Sequence, residues 1–255
     1  MMTNLLKMEW YKLRTSRLFI VLLIVTFALN ALLLAALPLA SSALGQEMTA
    51  TNLSAILASP FALGLLMIPI FISAVSFLYL DFSGGYIKNI AGQLPDRGSI
   101  VFAKFIMIGV HNLIFFIVAA LSAVLASAAT SGLVMDEAIG GGVLTLLLKW
   151  LLSLSICSIL MFFAVGLRNK TLAIIMAVVF STGALSLLYL GINSGISALF
   201  KVENVSVGDY LPDSLMGSVN AITGDLVVNA IIVAVVFIAL FLSLTYIMFK
   251  KRDVK

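Results

Sequence analysis

Ionisable side chains are few in this sequence, and one stretch gathers them. Asp81, Lys88, Asp96, Arg97 and Lys104 fall within residues 81–104, DFSGGYIKNIAGQLPDRGSIVFAK, between two apolar runs. Gly84, Gly85, Gly92, Pro95 and Gly98 interrupt helix formation there. Charges of both signs among turn-forming residues suit docking chemistry: charge-assisted hydrogen bonds, each worth about 1.5–3 kcal/mol where desolvated. Glu9, Lys12 and Arg14 form a second, smaller group near the N-terminus, with Glu9 and Lys12 at i,i+3.

Catalytic constellations are missing. There is no G-x-x-x-x-G-K-[ST] loop to cradle a nucleotide, no H-E-x-x-H and no G-x-S-x-G nucleophile elbow. One histidine, His111, and one cysteine, Cys157, cannot build a zinc site from those ligands, and Cys157 has no disulfide partner in the chain. Every acid falls at or outside the end of an apolar run, so a carboxylate pair for proton-coupled transport or intramembrane proteolysis is also missing. His111 leaves two readings open. It is an intramembrane proton or substrate site, or it hydrogen-bonds across a helix interface.

The elements that must position these residues are membrane spans. Hydrophobic residues make up 62% of the 255-residue chain and charged residues 10%, which excludes an ordinary soluble domain. The fold class expected is an all-α membrane protein with six transmembrane helices. Spans are expected at 18–37, 60–80, 100–129, 143–165, 172–190 and 226–249, the first with about the twenty residues that cross ~30 Å of hydrocarbon. The first is too long for the apolar core of a cleaved signal peptide. Pro69 should kink the second, and the third is long enough to tilt or project. Lys149 and Trp150 should anchor the outer end of the fourth, with Lys149 snorkelling outward.

Residues 1–17 read as an amphipathic interfacial helix. Leu6, Trp10 and Leu13 share one face and Lys7, Tyr11 and Arg14 the other, with Glu9 near the apolar edge. Residues 166–171, GLRNKT, read as a tight turn. Residues 192–225 read as the longest external segment, broken at Leu211-Pro212, with Asp213 placed to cap a short helix after the proline; the segment either dips back toward the membrane or is a surface loop.

Charge sets the orientation. Thirteen of the fifteen Lys and Arg residues lie in the N-terminal helix, residues 81–104, the GLRNKT turn and the C-terminal tail; Lys149 and Lys201 remain. That asymmetry places both termini and residues 81–104 in the cytoplasm. The basic residues sit at span ends, where lipid headgroups account for them, so no nucleic-acid partner is expected. Aromatic and sulfur side chains are spread through the spans. Most face lipid or neighbouring helices. Met67, Phe71 and Phe77, with His111, are the candidates for an adaptable path for an amphipathic substrate.

In order and spacing, these segments resemble the permease subunits of ABC-2 type exporters. LLKMEWYKLRTSR resembles their opening helix, with an acid, a basic residue and Leu-Arg before span one. Asp81, Gly84-Gly85, Lys88, Pro95-Asp96-Arg97 and Lys104 resemble their first cytoplasmic loop, and GLRNKTLAIIM resembles the segment between spans four and five. Many members carry Gly-Thr where this chain has Gly84-Gly85, and Glu is commoner than Asp81. The loop style is similar to that of lantibiotic self-protection, peptide-toxin exporter and bacitracin-resistance permeases.

The resemblance implies a single transmembrane domain over residues 1–255, with residues 1–17 as an elbow helix and 81–104 as a coupling loop. Two permeases, identical or related, would enclose a path. Two separate ATPase subunits would dock below, carrying ATP and Mg, while this chain binds no cofactor and is no enzyme. Glu9, Lys12, Arg14, Asp81, Gly84, Gly85, Lys88, Pro95, Arg97 and Lys104 would then serve ATPase coupling. The expected cargo is an amphipathic or antimicrobial-type peptide, and the expected location a bacterial cell membrane. An exporter of drug, lipid or polysaccharide uses the same architecture. An intramembrane enzyme, or a scaffold or sensor subunit, are the readings from other classes.

Overall fold

The computed structural model describes residues 2–43, 51–58, 64–83, 85, 98–200, 206–218 and 224–251. Helix α1 spans Met2–Thr15 and α2 spans Arg17–Ala43. Ser16 separates them and its hydroxyl accepts the Phe19 N–H at 3.4 Å, which caps the start of α2. A short strand β1, Thr51–Asn52, runs into α3, Leu53–Ala58. A 3₁₀ turn at Gly64–Met67 leads into α4, Ile68–Ser83. The long helix α5, Ser99–Thr130, has 32 residues, about 48 Å at 1.5 Å per residue, and so exceeds the hydrocarbon thickness as its sequence length implied.

Strand β2, Leu133–Val134, pairs parallel with β1, Thr51 opposite Leu133. Helix α6, Ile139–Met161, ends in a π-helical turn at Phe162–Gly166. Arg168, at φ 57°, reverses the chain, and Asn169 caps α7, Lys170–Thr182, by accepting the Leu172 N–H at 3.0 Å. Helix α8, Leu185–Phe200, a 3₁₀ turn at Val207–Tyr210, α9, Pro212–Ser218, and α10, Gly224–Lys251, complete the chain.

The chain is an all-α membrane protein. Among the described residues four helices are long and apolar enough to cross a bilayer: α2, α5, α6 with its π turn, and α10. The bent pair α7–α8 adds a fifth candidate, and the shorter apolar stretch Ile68–Phe82 of α4 occupies the place of the expected second span. Helix α6 is the central element, packed against α3, α5, α9 and α10, while α2 lies on α5 and α4, and α4 on α7. The core is built from Phe71, Leu78, Phe115, Phe116, Leu152 and Leu160, all fully buried.

Three expectations need correction. Span five is not a straight helix over 172–190. Gly183 adopts φ 68° and ends α7, and the chain leaves it at 72° as α8, which runs on into the stretch read as an external loop. In α1 the buried stripe is Leu5, Glu9 and Leu13, one position round from the expected face, and Trp10 is exposed. Glu9 tolerates its buried place because cations surround it there. Lys149 does not snorkel: it is fully buried and donates to the Ala58 carbonyl at 2.7 Å, completing the last turn of α3.

Candidate functional site

Where α1 crosses the C-terminal end of α4 and the N-terminal end of α5, four charged side chains close a ring. Lys12 Nζ donates to Glu9 Oε1 at 2.9 Å and to Asp81 Oδ1 at 2.7 Å. Lys104 Nζ lies 3.3 Å from Glu9 Oε2 and 2.6 Å from Asp81 Oδ2. The last contact is an ion pair without hydrogen-bond alignment. Charges alternate around the ring, so its net charge is zero. Glu9, Asp81 and Lys104 side chains are at most 2% exposed, and Lys12, at 19%, is the one opening to water.

Local structure explains how each member arrives. Glu9 and Lys12 share a face of α1 one turn apart. Asp81 stands in the last turn of α4, and Lys104 in the second turn of α5. Lys104 Nζ also sits 5.5 Å from the centre of the Phe77 ring, an aromatic face that suits a desolvated cation. Burial opposes the charge on Lys12. The Asp81 hydrogen bond and the nearby Glu9 outweigh it and hold the ammonium above its ordinary pKa of 10.5.

Within the ring each carboxylate lies beside two ammoniums and each ammonium beside two carboxylates. It ties the N-terminal helix to both helices that flank residues 81–104.

A family model described as "ABC-2 family transporter protein" matches residues 5–184, which include the whole ring. The chain belongs to the ABC-2 transporter family. No curated protein matches it. The family is one of membrane transport subunits that are not themselves catalytic, so the chain is a multi-pass transport permease.

The permease keeps Glu9, Lys12, Asp81 and Lys104 together, although the sequence presents them as two separate groups. Only the Glu9–Lys12 contact was legible from spacing. Arg14 is exposed on α1 and outside the ring. Gly85 adopts φ 68°, a conformation that favours glycine, and its N–H donates to Phe82 O at 3.3 Å, closing the end of α4. Gly84, Lys88, Pro95 and Arg97 lie outside the described residues.

Met67, Phe71, Phe77 and His111 are all buried inside the permease. His111 Nε2 meets Ser73 Oγ at 2.9 Å, and Nδ1 meets Asn112 Oδ1 at 3.1 Å. Asn112 donates onward to Ser153 Oγ at 2.8 Å and to Cys157 Sγ at 3.4 Å. Phe19 and Phe115 flank the imidazole. Of the two readings of His111, the observed geometry is the cross-helix one: a polar chain joining α4, α5 and α6.

A second clamp, which the sequence did not reveal, holds α3. Asp136 accepts the Ser54 N–H at 3.1 Å and the Ser54 hydroxyl, at the N-terminal end of α3 where a negative charge is favoured. Lys149 completes the opposite end. Between them Gly142 lies so close that an added Cβ would stand 2.6 Å from the Ser54 carbonyl oxygen.

Proposed function

We propose that this permease is the membrane subunit of an ATP-driven exporter, with residues 81–104 and α1 as the surface read by a separate ATPase. The observation that carries the reading is the closed ring of Glu9, Lys12, Asp81 and Lys104. Separate side chains on a loop would transmit a push only locally. A buried four-charge ring makes α1, α4 and α5 one mechanical unit, because removing any member leaves a buried charge without compensation. The charge asymmetry of the sequence supports a cytoplasmic position for this unit. Two ATPase subunits carrying ATP and Mg, and a second permease, complete the assembly in this reading, in a bacterial cell membrane.

The cargo we favour is an amphipathic or antimicrobial-type peptide. The loop's resemblance to peptide-exporter permeases supports it. Drug, lipid and polysaccharide are the competing cargoes.

The test is purification of the native complex from its host. The expected result is a co-purifying ATPase whose hydrolysis is stimulated by candidate peptides in proteoliposomes. Robust ATP hydrolysis by the isolated chain, or isolation without any ATPase under conditions that preserve membrane complexes, would overturn the reading.

A further inference from the structure

Beside the ring lies a hollow of about 180 Å³ that the coupling argument does not use. It is lined by Ser16 and Leu18 at the start of α2, by Ser76, Phe77, Tyr79 and Leu80 on α4, and by Lys170 at the start of α7. Among the described residues no acid lines it. Glu9 and Asp81 face the ammoniums of the ring.

Its polar lining comes from Ser16, Ser76, Tyr79 and Lys170: three hydroxyls that can donate and one exposed ammonium. That is the complement of a phosphate: acceptor oxygens carrying negative charge. The rim is apolar. Leu18 and Leu80 are each at least 40% exposed, and Val21 continues the exposed apolar surface along α2. A soluble anion has no use for such a rim, whereas acyl chains do.

We propose that this hollow holds the phosphate headgroup of an anionic phospholipid, with its acyl chains running along α2 and α4. Lys170 supplies the charge, and Ser76 and Tyr79 the hydrogen bonds. Phe77 connects the hollow to the ring, since its ring also faces Lys104 Nζ. Assignment to the inner leaflet rests on the orientation proposed above; the binding itself does not.

The test uses the full-length chain, purified without an ATPase, in nanodiscs of phosphatidylcholine containing a minor fraction of phosphatidylglycerol, with retained lipid counted by native mass spectrometry after detergent transfer. Wild type should retain phosphatidylglycerol over phosphatidylcholine. Lys170→Ala and Tyr79→Phe should each lower that retention by roughly tenfold, the loss of one charge-assisted bond. Lys7→Ala, which removes an exposed cation outside the hollow, should leave it unchanged. Tyr79→Phe keeps the ring that stacks on Phe82, so its effect is not one of misfolding. Equal retention of the two lipids, unchanged retention in both hollow variants, or an equal loss in Lys7→Ala would overturn the proposal. Displacement of the lipid by millimolar glycerol phosphate would assign the hollow to a soluble phosphate and overturn the lipid assignment. Each of these results leaves the exporter reading standing, because no ATPase is present.

Discussion

Glu9 and Lys104 are 95 residues apart in the chain, and their charged atoms meet at 3.3 Å with both side chains buried. An isolated ion pair there would gain little over two apolar side chains. Closure through Lys12 and Asp81 changes the balance, since each carboxylate faces two ammoniums and each ammonium two carboxylates.

Alternation makes a specific prediction. Lys104→Met should cost about 3–5 kcal/mol, as removal of one partner from a buried charged group does. In a simple pair, exchanging the charges would rescue the loss. In this ring, combining Asp81→Lys with Lys104→Asp sets the new ammonium against Lys12 and the new carboxylate against Glu9. The double variant should therefore be no better than the single ones. Thermal unfolding in detergent with matched expression reads this out, and rescue by the exchange would reduce the ring to one pair.

The pH dependence of the ring follows from Lys12. Its pKa is raised above 10.5 in the folded chain. A raised pKa means that the folded state holds the proton more tightly than the unfolded state. The stabilisation is therefore fully present below about pH 10.5 and is lost as pH climbs through the folded value. The melting temperature should fall on the alkaline side, and Lys12→Met should flatten that fall while lowering the neutral-pH value. An alkaline limb identical in wild type and Lys12→Met would exclude Lys12 as its source.

On the opposite side of the fold, Gly142→Val should drive α3 away from α6, at an overpacking cost of about 1–3 kcal/mol. Lys149→Met should act in the same direction by leaving the Ala58 carbonyl short of its donor. Ile56 is buried under α3. In a Cys157→Ser background, Ile56→Cys should resist a thiol reagent, then become reactive when either substitution is added. Continued protection would show that α3 is held by other contacts.

Much of the architecture was legible because hydropathy reports span cores directly. Residues 100–129 and 226–249 read as spans and form α5 and α10 with ends within two residues. The short helix expected beside Pro212 forms, with Pro212 as its first residue and Asp213 inside its first turn instead of capping it. The break at Gly183 was hidden, because a single glycine in an apolar run does not alter hydropathy while its φ of 68° redirects the chain. The ring was half legible. Helical spacing gave Glu9–Lys12, but the approach of α1 to α5 depends on tertiary packing that no local period encodes. For the same reason Lys149 read as a membrane anchor, when its partner is a carbonyl 91 residues earlier.

The central claim is that α1, α4 and α5 move as one body when an ATPase acts on residues 81–104. Spin labels at exposed Tyr11 on α1, Leu80 on α4 and Phe102 on α5 can be measured against Lys250 on α10 in a Cys157→Ser background, in the assembled complex with and without trapped ATP. The account predicts that distances among the first three labels stay constant while all three shift relative to Lys250, and that Lys104→Met lets Tyr11 separate from the other two. Separation of Tyr11 from Leu80 in the wild type on ATP trapping, or an unchanged pattern in Lys104→Met, would contradict it.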